Sequence, residues 1–172
     1  KIVDDNNKRV DKDVIGNLLV RGPNVFKGYW KMPEKTAEDF TANGFFKTGD
    51  KAKIDTDGYV SIVGRSKDMI ITGGLNVYPK EIELIIDDII GVKESAVIGI
   101  YHRDFGEAVI AVVICSEFQN LNETDVIDYS KQHLAGYKIP KKIIFADALP
   151  RNSMSKVQKN ILRENYKDLF NP

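Results

Sequence analysis

The pattern that most constrains the fold is a set of isoleucines near the middle of the chain. They recur at the i, i+3, i+4 and i+7 spacing of one helical face: Ile82, Ile85, Ile86 and Ile89. Pro79 occupies a favourable first helical position, and Gly91 marks the end of the pattern. These residues predict an amphipathic helix whose isoleucine face lies in a hydrophobic core.

Strand-like and helical segments surround this helix. The apolar runs that predict strands cover residues 69–74, 95–101, 108–115 and 142–145, and two further helices are predicted from residue 122 to about 134 and over 157–170. Asn122 and Asp125 have the spacing of a capping box, with Asp in place of the usual Glu or Gln. The order β-α-β-β-α-β-α over residues 67–172 predicts a compact α+β domain.

The first part of the chain has a different pattern. Short apolar runs alternate with turn signals and predict β-structure at residues 16–20, 25–30, 51–55 and 59–64. Pro33 opens a short predicted helix, and Gly58 lies in a Thr-Asp-Gly turn typical of a hairpin in which glycine supplies a positive φ. Residues 1–66 are therefore predicted to form a β-rich unit.

Charge and composition exclude several classes of function. Of 172 residues, 25 are basic and 25 acidic, so no large net field favours nucleic acid or an anionic membrane surface. No apolar run reaches the roughly 18 residues of a membrane span, and residues 1–5 are not a signal sequence. The single cysteine, Cys115, agrees with a reducing compartment. Because the chain opens on a strand without an initiator Met, we expect it to be part of a longer protein.

Three charged residues could carry chemistry, and each has a simpler alternative. Lys156 lies among small polar residues between a predicted strand and the last helix, where its ammonium could meet a carboxylate or phosphate, or only solvent. Asp50, in a tight Thr-Gly-Asp turn, could accept hydrogen bonds from vicinal ribose hydroxyls, or from its own backbone. Arg65 could bind phosphate or ribose oxygens, or form a surface ion pair.

The remaining candidates are weaker. Gly73 and Gly74 allow either the close approach of a thin ligand to the backbone or a simple turn. His102 and His133 lack Cys or carboxylate partners at metal-ligand spacing, so no metal site is predicted. The sequence contains no Gly-x-Ser-x-Gly motif, no Cys-His signature and no phosphate-cradling glycine loop, so the chain by itself lacks a nucleotide pocket.

Four stretches in a fixed order carry a family resemblance. They are Phe-Lys-Thr-Gly-Asp at 46–50, Asp-Gly-Tyr leading to Gly-Arg-Ser-Lys-Asp-Met-Ile at 57–70, Gly-Gly-Leu-Asn-Val-Tyr-Pro-Lys-Glu-Ile-Glu at 73–83, and Leu-Pro-Arg-Asn-Ser-Met-Ser-Lys at 149–156. Together they resemble the C-terminal third of acyl-adenylate-forming enzymes: acyl- and aryl-CoA synthetases, nonribosomal peptide adenylation domains and luciferases. Within that family, residues 73–83 and 149–160 look most similar to malonyl-CoA synthetases.

The resemblance implies a two-step reaction in a larger enzyme. A carboxylate attacks the α-phosphate of ATP to give an acyl-adenylate and pyrophosphate, and the thiol of coenzyme A then displaces AMP. ATP and AMP binding is thereby assigned to Asp50, Arg65 and Lys156, with Lys156 as the catalytic residue that offsets charge during adenylation. Lys67 matches the family's hinge, which would swing residues 68–172 between an adenylating and a thioester-forming pose.

The same resemblance supplies the remaining expectations. Gly73 and Gly74 would line the pantetheine tunnel for CoA, with Asn76 as a second-tier candidate. Residues 1–66 would be the end of a large ATP- and acid-binding domain, and residues 67–172 a mobile AMP-binding lid. The implied cofactors are ATP, coenzyme A and Mg²⁺, whose protein ligand would lie outside this chain. A cytoplasmic enzyme without nucleic-acid partners fits this class.

The chain departs from the family in two respects. Family members often have Gly immediately before the catalytic lysine, whereas Ser155 stands here and could stiffen the loop. The phosphate loop, the adenine-binding segment and most of the acid pocket lie outside residues 1–172, so we expect these residues alone to be inactive. Three alternatives stay open: a fatty-acid or aryl-acid CoA ligase, an adenylating enzyme that loads a carrier protein, and a non-catalytic interaction domain.

Overall fold

The structure, a computed structural model, describes residues 1–116 and 121–170. The chain divides into two compact units, Lys1–Lys67 and Asp68–Pro172, one residue from the boundary expected from the sequence. The roles assigned above to the two units remain predictions. Within the described residues, no helix is both long enough and apolar enough to cross a membrane.

The first unit is a four-stranded antiparallel sheet with one helix. Its strands follow the order β1-β2-β3-β4 and comprise β1 Ile2–Val3, β2 Gly16–Val20, β3 Phe46–Ile54 and β4 Val60–Arg65, and its helix is α1 Pro33–Asp39. Gly58 connects β3 to β4 with a φ of 92°, so it supplies the positive φ that the hairpin turn requires.

Residues 25–30 do not form the strand that their apolar content predicts. Phe26 packs edge-on against three aromatic rings, with centroids 5.1, 5.5 and 5.0 Å away: Tyr29, Phe40 and Phe46. The N–H of Tyr29 donates to Thr36 Oγ1 at 2.9 Å, and a Cβ on Gly28 would come within 2.7 Å of the Thr36 methyl group. The aromatic residues of this run therefore hold an irregular loop against α1 and β3, without any pairing to a neighbouring strand.

The second unit is a five-stranded sheet with helices on both faces. The strand order is β6-β5-β8-β7, and β9 pairs parallel to β8. The strands are β5 Ile70–Thr72, β6 Leu75–Val77, β7 Val92–His102, β8 Gly106–Cys115 and β9 Lys142–Phe145, and the helices are α2 Pro79–Asp87, α3 Glu123–His133 and α4 Lys159–Asn165. The predicted α+β class is confirmed.

Local sequence signals explain most of these boundaries. The capping box of α3 is present: Asn122 Oδ1 accepts from the Asp125 N–H at 3.1 Å, and Asp125 Oδ2 accepts from the Asn122 N–H at 3.0 Å. Two predictions need correction. The run at 69–74 is followed by the unpredicted strand β6. Of the helix predicted over 157–170, α4 covers only Lys159–Asn165: it begins two residues later because Val157 forms a β-bridge with Arg151, and it ends five residues earlier.

Successive side chains of β7 and β8 point to opposite faces of the sheet, so their apolar residues form two hydrophobic cores, one on each face. Val97, Val109, Ala111 and Val113 face α2 and α3, where they pack with Ile82, Ile86 and Val126. Ile98, Ile110 and Val112 face the other way and pack with Leu149 and Leu162. The isoleucine face of α2 is therefore core, as predicted, and the two buried leucines anchor the chain on either side of the loop that carries Lys156.

Candidate functional site

Asp50 lies in a bulge of β3, which corrects the tight turn predicted for this position. Lys51 pairs with Asn17, whereas Lys47 pairs with Leu19, so three residues of β3 stand opposite one residue of β2. Gly49 has a φ of 75°, which a bulge residue needs and glycine adopts without strain. The extra residues interrupt the regular alternation of side chains along the strand at this point.

The structure brings Asp50 and Arg65 together. They are partners across β3 and β4, and Asp50 Oδ1 lies 3.3 Å from Arg65 Nε. Thr48 supports both residues, because its hydroxyl accepts from the Asp50 N–H at 3.0 Å and its carbonyl accepts from Arg65 Nη2 at 3.1 Å. Sequence reasoning did not single out Thr48. The Thr-Gly-Asp motif contained it, but its role depends on the bulge.

This ion pair can rearrange for a ligand. The Arg65 side chain is 53% exposed and that of Asp50 is 23% exposed, so the pair contributes only about 1 kcal/mol or less to stability. Asp50 and Gly49 also line a cleft of about 290 Å³ together with Asn17 and the first loop of the unit. A carboxylate at the edge of such a cleft can accept hydrogen bonds from neighbouring hydroxyl groups.

Lys156 combines a fixed backbone with a free side chain. Asn152 Oδ1 accepts from the N–H groups of Met154 and Lys156, each at 3.0 Å, and the Asn152 N–H donates to the Lys156 carbonyl at 3.0 Å. The side chain is exposed, and its ammonium makes no hydrogen bond or ion pair with any residue that the structure describes. Such a cation is available to an anionic group from outside the unit.

Asn152 is the second residue that sequence reasoning missed. Its side chain closes the turn by bonding backbone groups two and four residues further along the chain. An asparagine at the start of a short polar segment is the usual signal for such a turn. The sequence therefore carried this information, although the turn was interpreted only as a polar loop.

Ser155 adopts the left-handed conformation, with a φ of 60°. This finding gives a physical reason for the glycine that family members often have here, because glycine reaches a positive φ without a steric penalty. Arg151 Nη1 also donates to the Ser155 carbonyl at 2.7 Å, which holds the turn closed. Serine at this position therefore carries backbone strain and leaves the loop geometry intact.

Replacing Ser155 by glycine should raise the free energy of unfolding by up to about 1 kcal/mol, because the relief of left-handed strain exceeds the entropy that glycine adds to the unfolded chain. Chemical denaturation measures this difference. Ser153→Gly is the matched control: Ser153 has no positive φ, so this change should be neutral or destabilising. Equal effects of the two substitutions would contradict the strain at Ser155.

Gly73 and Gly74 form the two-residue turn between β5 and β6, with φ values of 57° and 79°. A Cβ on either glycine would meet no atom within 4 Å, so the turn needs glycine for its φ angles. The turn is exposed, which leaves its backbone open to a ligand. Asn76 is also exposed and lies opposite Ile71 on the neighbouring strand.

Lys67 ends the first unit, within a 3-10 turn over Ser66–Asp68. The next residue, Asp68, belongs to the second unit and forms an ion pair with Arg163 of α4 at 3.0 Å. A backbone rotation at Lys67 would therefore act directly before Asp68, which its ion pair attaches to the second unit.

Both histidines have structural contacts. His102 Nδ1 accepts from the Asp104 N–H at 3.2 Å. His133 Nδ1 lies 2.9 Å from the Tyr129 carbonyl oxygen, and the imidazole ring of His133 stacks on the phenol ring of Tyr129. Burial raises the pKa of the Cys115 thiol, which lies partly buried at the end of β8. Over residues 1–116 and 121–170, no three His, Cys, Asp or Glu side chains are placed to hold a metal ion.

The second unit is similar to the C-terminal domain of AMP-binding enzymes. Residues 81–156 match the family described as the AMP-binding enzyme C-terminal domain. These residues carry the signature of that domain, and the similar curated proteins are acyl-CoA ligases, as the ordered motifs predicted.

Three similar proteins illustrate the range of the family. ATP-bound MatB from Rhodopseudomonas palustris is 55% identical with a TM-score of 0.91, and the match covers 98% of this chain and 34% of MatB. The long-chain-fatty-acid–CoA ligase FadD13 of Mycobacterium tuberculosis is 45% identical over 88% of this chain and 30% of FadD13. Bacillus subtilis o-succinylbenzoate CoA synthetase MenE, in complex with its acyl-adenylate, is 32% identical with a TM-score of 0.89, covering 94% of this chain and 33% of MenE. This chain thus spans about a third of each relative.

Proposed function

We propose that this chain is the C-terminal part of an ATP-dependent acid:CoA ligase that forms an acyl-adenylate and then an acyl-CoA thioester. The observation that carries the proposal is Lys156, a cation that lies on a fixed turn and pairs with no residue described in the structure. Its sequence motif resembles the one that carries the family's catalytic lysine. The names of the relatives support the class, since they are CoA ligases and CoA synthetases.

In the first half-reaction, a carboxylate oxygen of the acid attacks the α-phosphorus of ATP and pyrophosphate leaves. Both the attacking group and the phosphate are anionic, so the repulsion between them must be offset as they approach. Lys156 would supply this positive charge and orient the two groups, without acting as a base. Its fixed backbone reduces the entropy lost when the ammonium is placed in the site.

Asp50 and Arg65 would hold the nucleotide. The Asp50 carboxylate is suited to the two vicinal hydroxyls of ribose, and the Arg65 guanidinium to ribose or phosphate oxygens. Their partly exposed ion pair would open to receive these groups and re-form when AMP leaves. Mg²⁺ would neutralise the phosphates of ATP, and the protein ligand of this ion would lie outside this chain.

In the second half-reaction, the CoA thiolate attacks the acyl carbon and AMP leaves. For this step Lys67 would act as the hinge and the Gly73-Gly74 turn would line the pantetheine tunnel. The open backbone of that turn supports the assignment, because a tunnel for a thin chain requires a wall without side chains. Asn76, exposed on the adjacent strand, is a second-tier contact.

For the acid we propose malonate or a similar small carboxylate. Residues 73–83 and 149–160 resemble malonyl-CoA synthetases, and MatB, a malonyl-CoA synthetase, is 55% identical over 98% of this chain. FadD13 is 45% identical over 88% of this chain. A fatty-acid CoA ligase is the second candidate, since long-chain ligases are among the relatives. A cytoplasmic location is proposed with this class of enzyme.

Products made by the full-length protein test this proposal. It should be incubated with ATP, Mg²⁺, CoA and equimolar malonate, methylmalonate, acetate, fatty and aryl acids, and the thioesters identified by mass spectrometry. Malonyl-CoA should dominate. A different thioester would keep the ligase function and discard malonate. The absence of any thioester, with ATP still consumed in the presence of a carrier protein, would favour a carrier-loading enzyme.

A further inference from the structure

Ion pairs hold both ends of the loop that carries Lys156. At the first end, Arg151 pairs with Glu94 of β7. At the second end, Lys159, the first residue of α4, pairs with Glu83 of α2 at 2.5 Å. The loop between these two points has few buried atoms of its own, since residues 153–156 are all exposed. Its position on the unit therefore depends on how its ends are attached.

Glu83 is the more deeply buried of the two glutamates, with 7% of its surface exposed. Its Oε1 accepts from the Val97 N–H at 2.9 Å as well as from the Lys159 ammonium. One carboxylate thus joins α2, β7 and the start of α4. A buried charge with two partners is costly to disturb, because removing either partner leaves the other uncompensated.

Glu94 acts through Arg151, and its contact reaches closer to the catalytic lysine. The guanidinium binds Glu94 with one nitrogen and donates to the Ser155 carbonyl at 2.7 Å with the other. Ser155 immediately precedes Lys156 and has the strained positive φ. The planar fork of arginine holds both contacts in one fixed geometry with two separate nitrogens, whereas a lysine offers a single, freely rotating ammonium.

We propose that Glu83 and Glu94 are positioning residues for Lys156, which they hold in the geometry that adenylation requires. This inference rests on the proposed catalytic role of Lys156. Neither glutamate touches a reacting group. Each acts through a cation of the loop, and loss of either contact would let the turn shift relative to the sheet. A displacement of about 1 Å lowers the rate of an oriented reaction by roughly 100-fold.

The two half-reactions separate this role from a structural one. Adenylation needs Lys156 in place, whereas thioester formation from a supplied adenylate does not. Loss of positioning should therefore lower only the rate of pyrophosphate release. General damage to the unit would lower both rates, since the Gly73-Gly74 turn belongs to the same sheet.

The test uses the full-length protein with Glu83→Gln, Glu94→Gln and Arg151→Lys. Each variant should release pyrophosphate at least about tenfold more slowly while forming thioester from supplied acyl-adenylate within about twofold of the unchanged protein. Glu94 and Arg151 are partly exposed, so these two variants remain informative if Glu83→Gln fails to fold.

Glu123→Gln is the matched control. Glu123 also binds a lysine and a backbone N–H, namely Lys142 at 2.8 Å and Ile143 at 3.0 Å, but it joins α3 to β9. The Lys142 contact, followed by the Ile143 N–H, lowers the pKa of the Glu123 carboxyl. This variant should leave the ratio of the two half-reaction rates unchanged.

Equal losses in both half-reactions, or unchanged pyrophosphate release in all three variants, would overturn the positioning role. Lys156→Ala, measured alongside, keeps this result distinct from a failure of the proposed function. If Lys156→Ala abolishes adenylation and the glutamate variants do not impair it, only the positioning role is wrong. If Lys156→Ala itself leaves adenylation intact, the catalytic assignment is wrong and the positioning role falls with it.

Discussion

Lys156→Ala in the full-length protein should lower the rate of adenylate formation by about 100- to 1,000-fold, the usual effect of removing one preorganised group that stabilises developing charge. The rate of thioester formation from a supplied adenylate should stay within about threefold, because we propose that the ammonium acts only in the first half-reaction. The substitution should leave the fold of the unit undisturbed, since the side chain is exposed and its loss removes no hydrogen bond or ion pair to any described residue.

Two single-turnover assays measure this difference: pyrophosphate release from ATP and acid, and acyl-CoA formation from purified adenylate and CoA. Lys131→Ala is a suitable control, because Lys131 is an exposed lysine of the same unit whose ammonium pairs with Asp128 on α3. It should change neither rate. Equal losses in both half-reactions of Lys156→Ala would count against the assignment of two separate poses.

Lys67→Pro should have the converse effect. Proline fixes φ near −65° and so restricts the backbone rotation proposed for the hinge. Adenylation should remain within about threefold, whereas thioester formation should fall by roughly 100-fold, since the CoA thiol would no longer meet the adenylate in a reactive geometry. Lys67 is well placed for this role, because the boundary between the two compact units follows it directly.

Lys67→Ala separates backbone restriction from loss of the side chain. It removes the ammonium while keeping the backbone free, so both half-reactions should proceed nearly as in the unchanged protein. Thermal unfolding of the proline variant should be compared as well, because proline also restricts Ser66 before it. Unchanged thioester formation in Lys67→Pro would remove Lys67 from the hinge role.

Much of the fold followed from short-range signals. The isoleucine spacing of α2, the capping box of α3 and the glycine of the β3–β4 turn were all predicted, and the structure confirms each of them. In every case the interacting groups lie within a few residues of one another. Side-chain periodicity, a capping hydrogen bond and a positive φ are properties of a local segment, so they can be derived without knowing the tertiary contacts.

The errors occurred where distant residues decide the outcome. The run at 25–30 has the composition of a strand, but Phe26 packs against Phe46 and other rings instead of pairing with a strand. Asp50 was expected in a tight turn, but it lies in a bulge whose register is set by β2, about 30 residues earlier in the chain. Apolar composition specifies that a segment is partly buried; the partner that buries it is chosen by the fold.

The sequence by itself determined which residues could do chemistry here. The ordered motifs around Asp50, Arg65, Gly73, Gly74 and Lys156 were sufficient to predict the enzyme family, which the comparisons support. Only the tertiary structure decided how these residues are held. Lys159 and Glu83 are 76 residues apart, and Arg151 and Glu94 are 57 apart, yet these pairs fasten the loop that carries Lys156. Ion pairs of such separation leave no local pattern, because their partners meet only after the sheet and helices have packed.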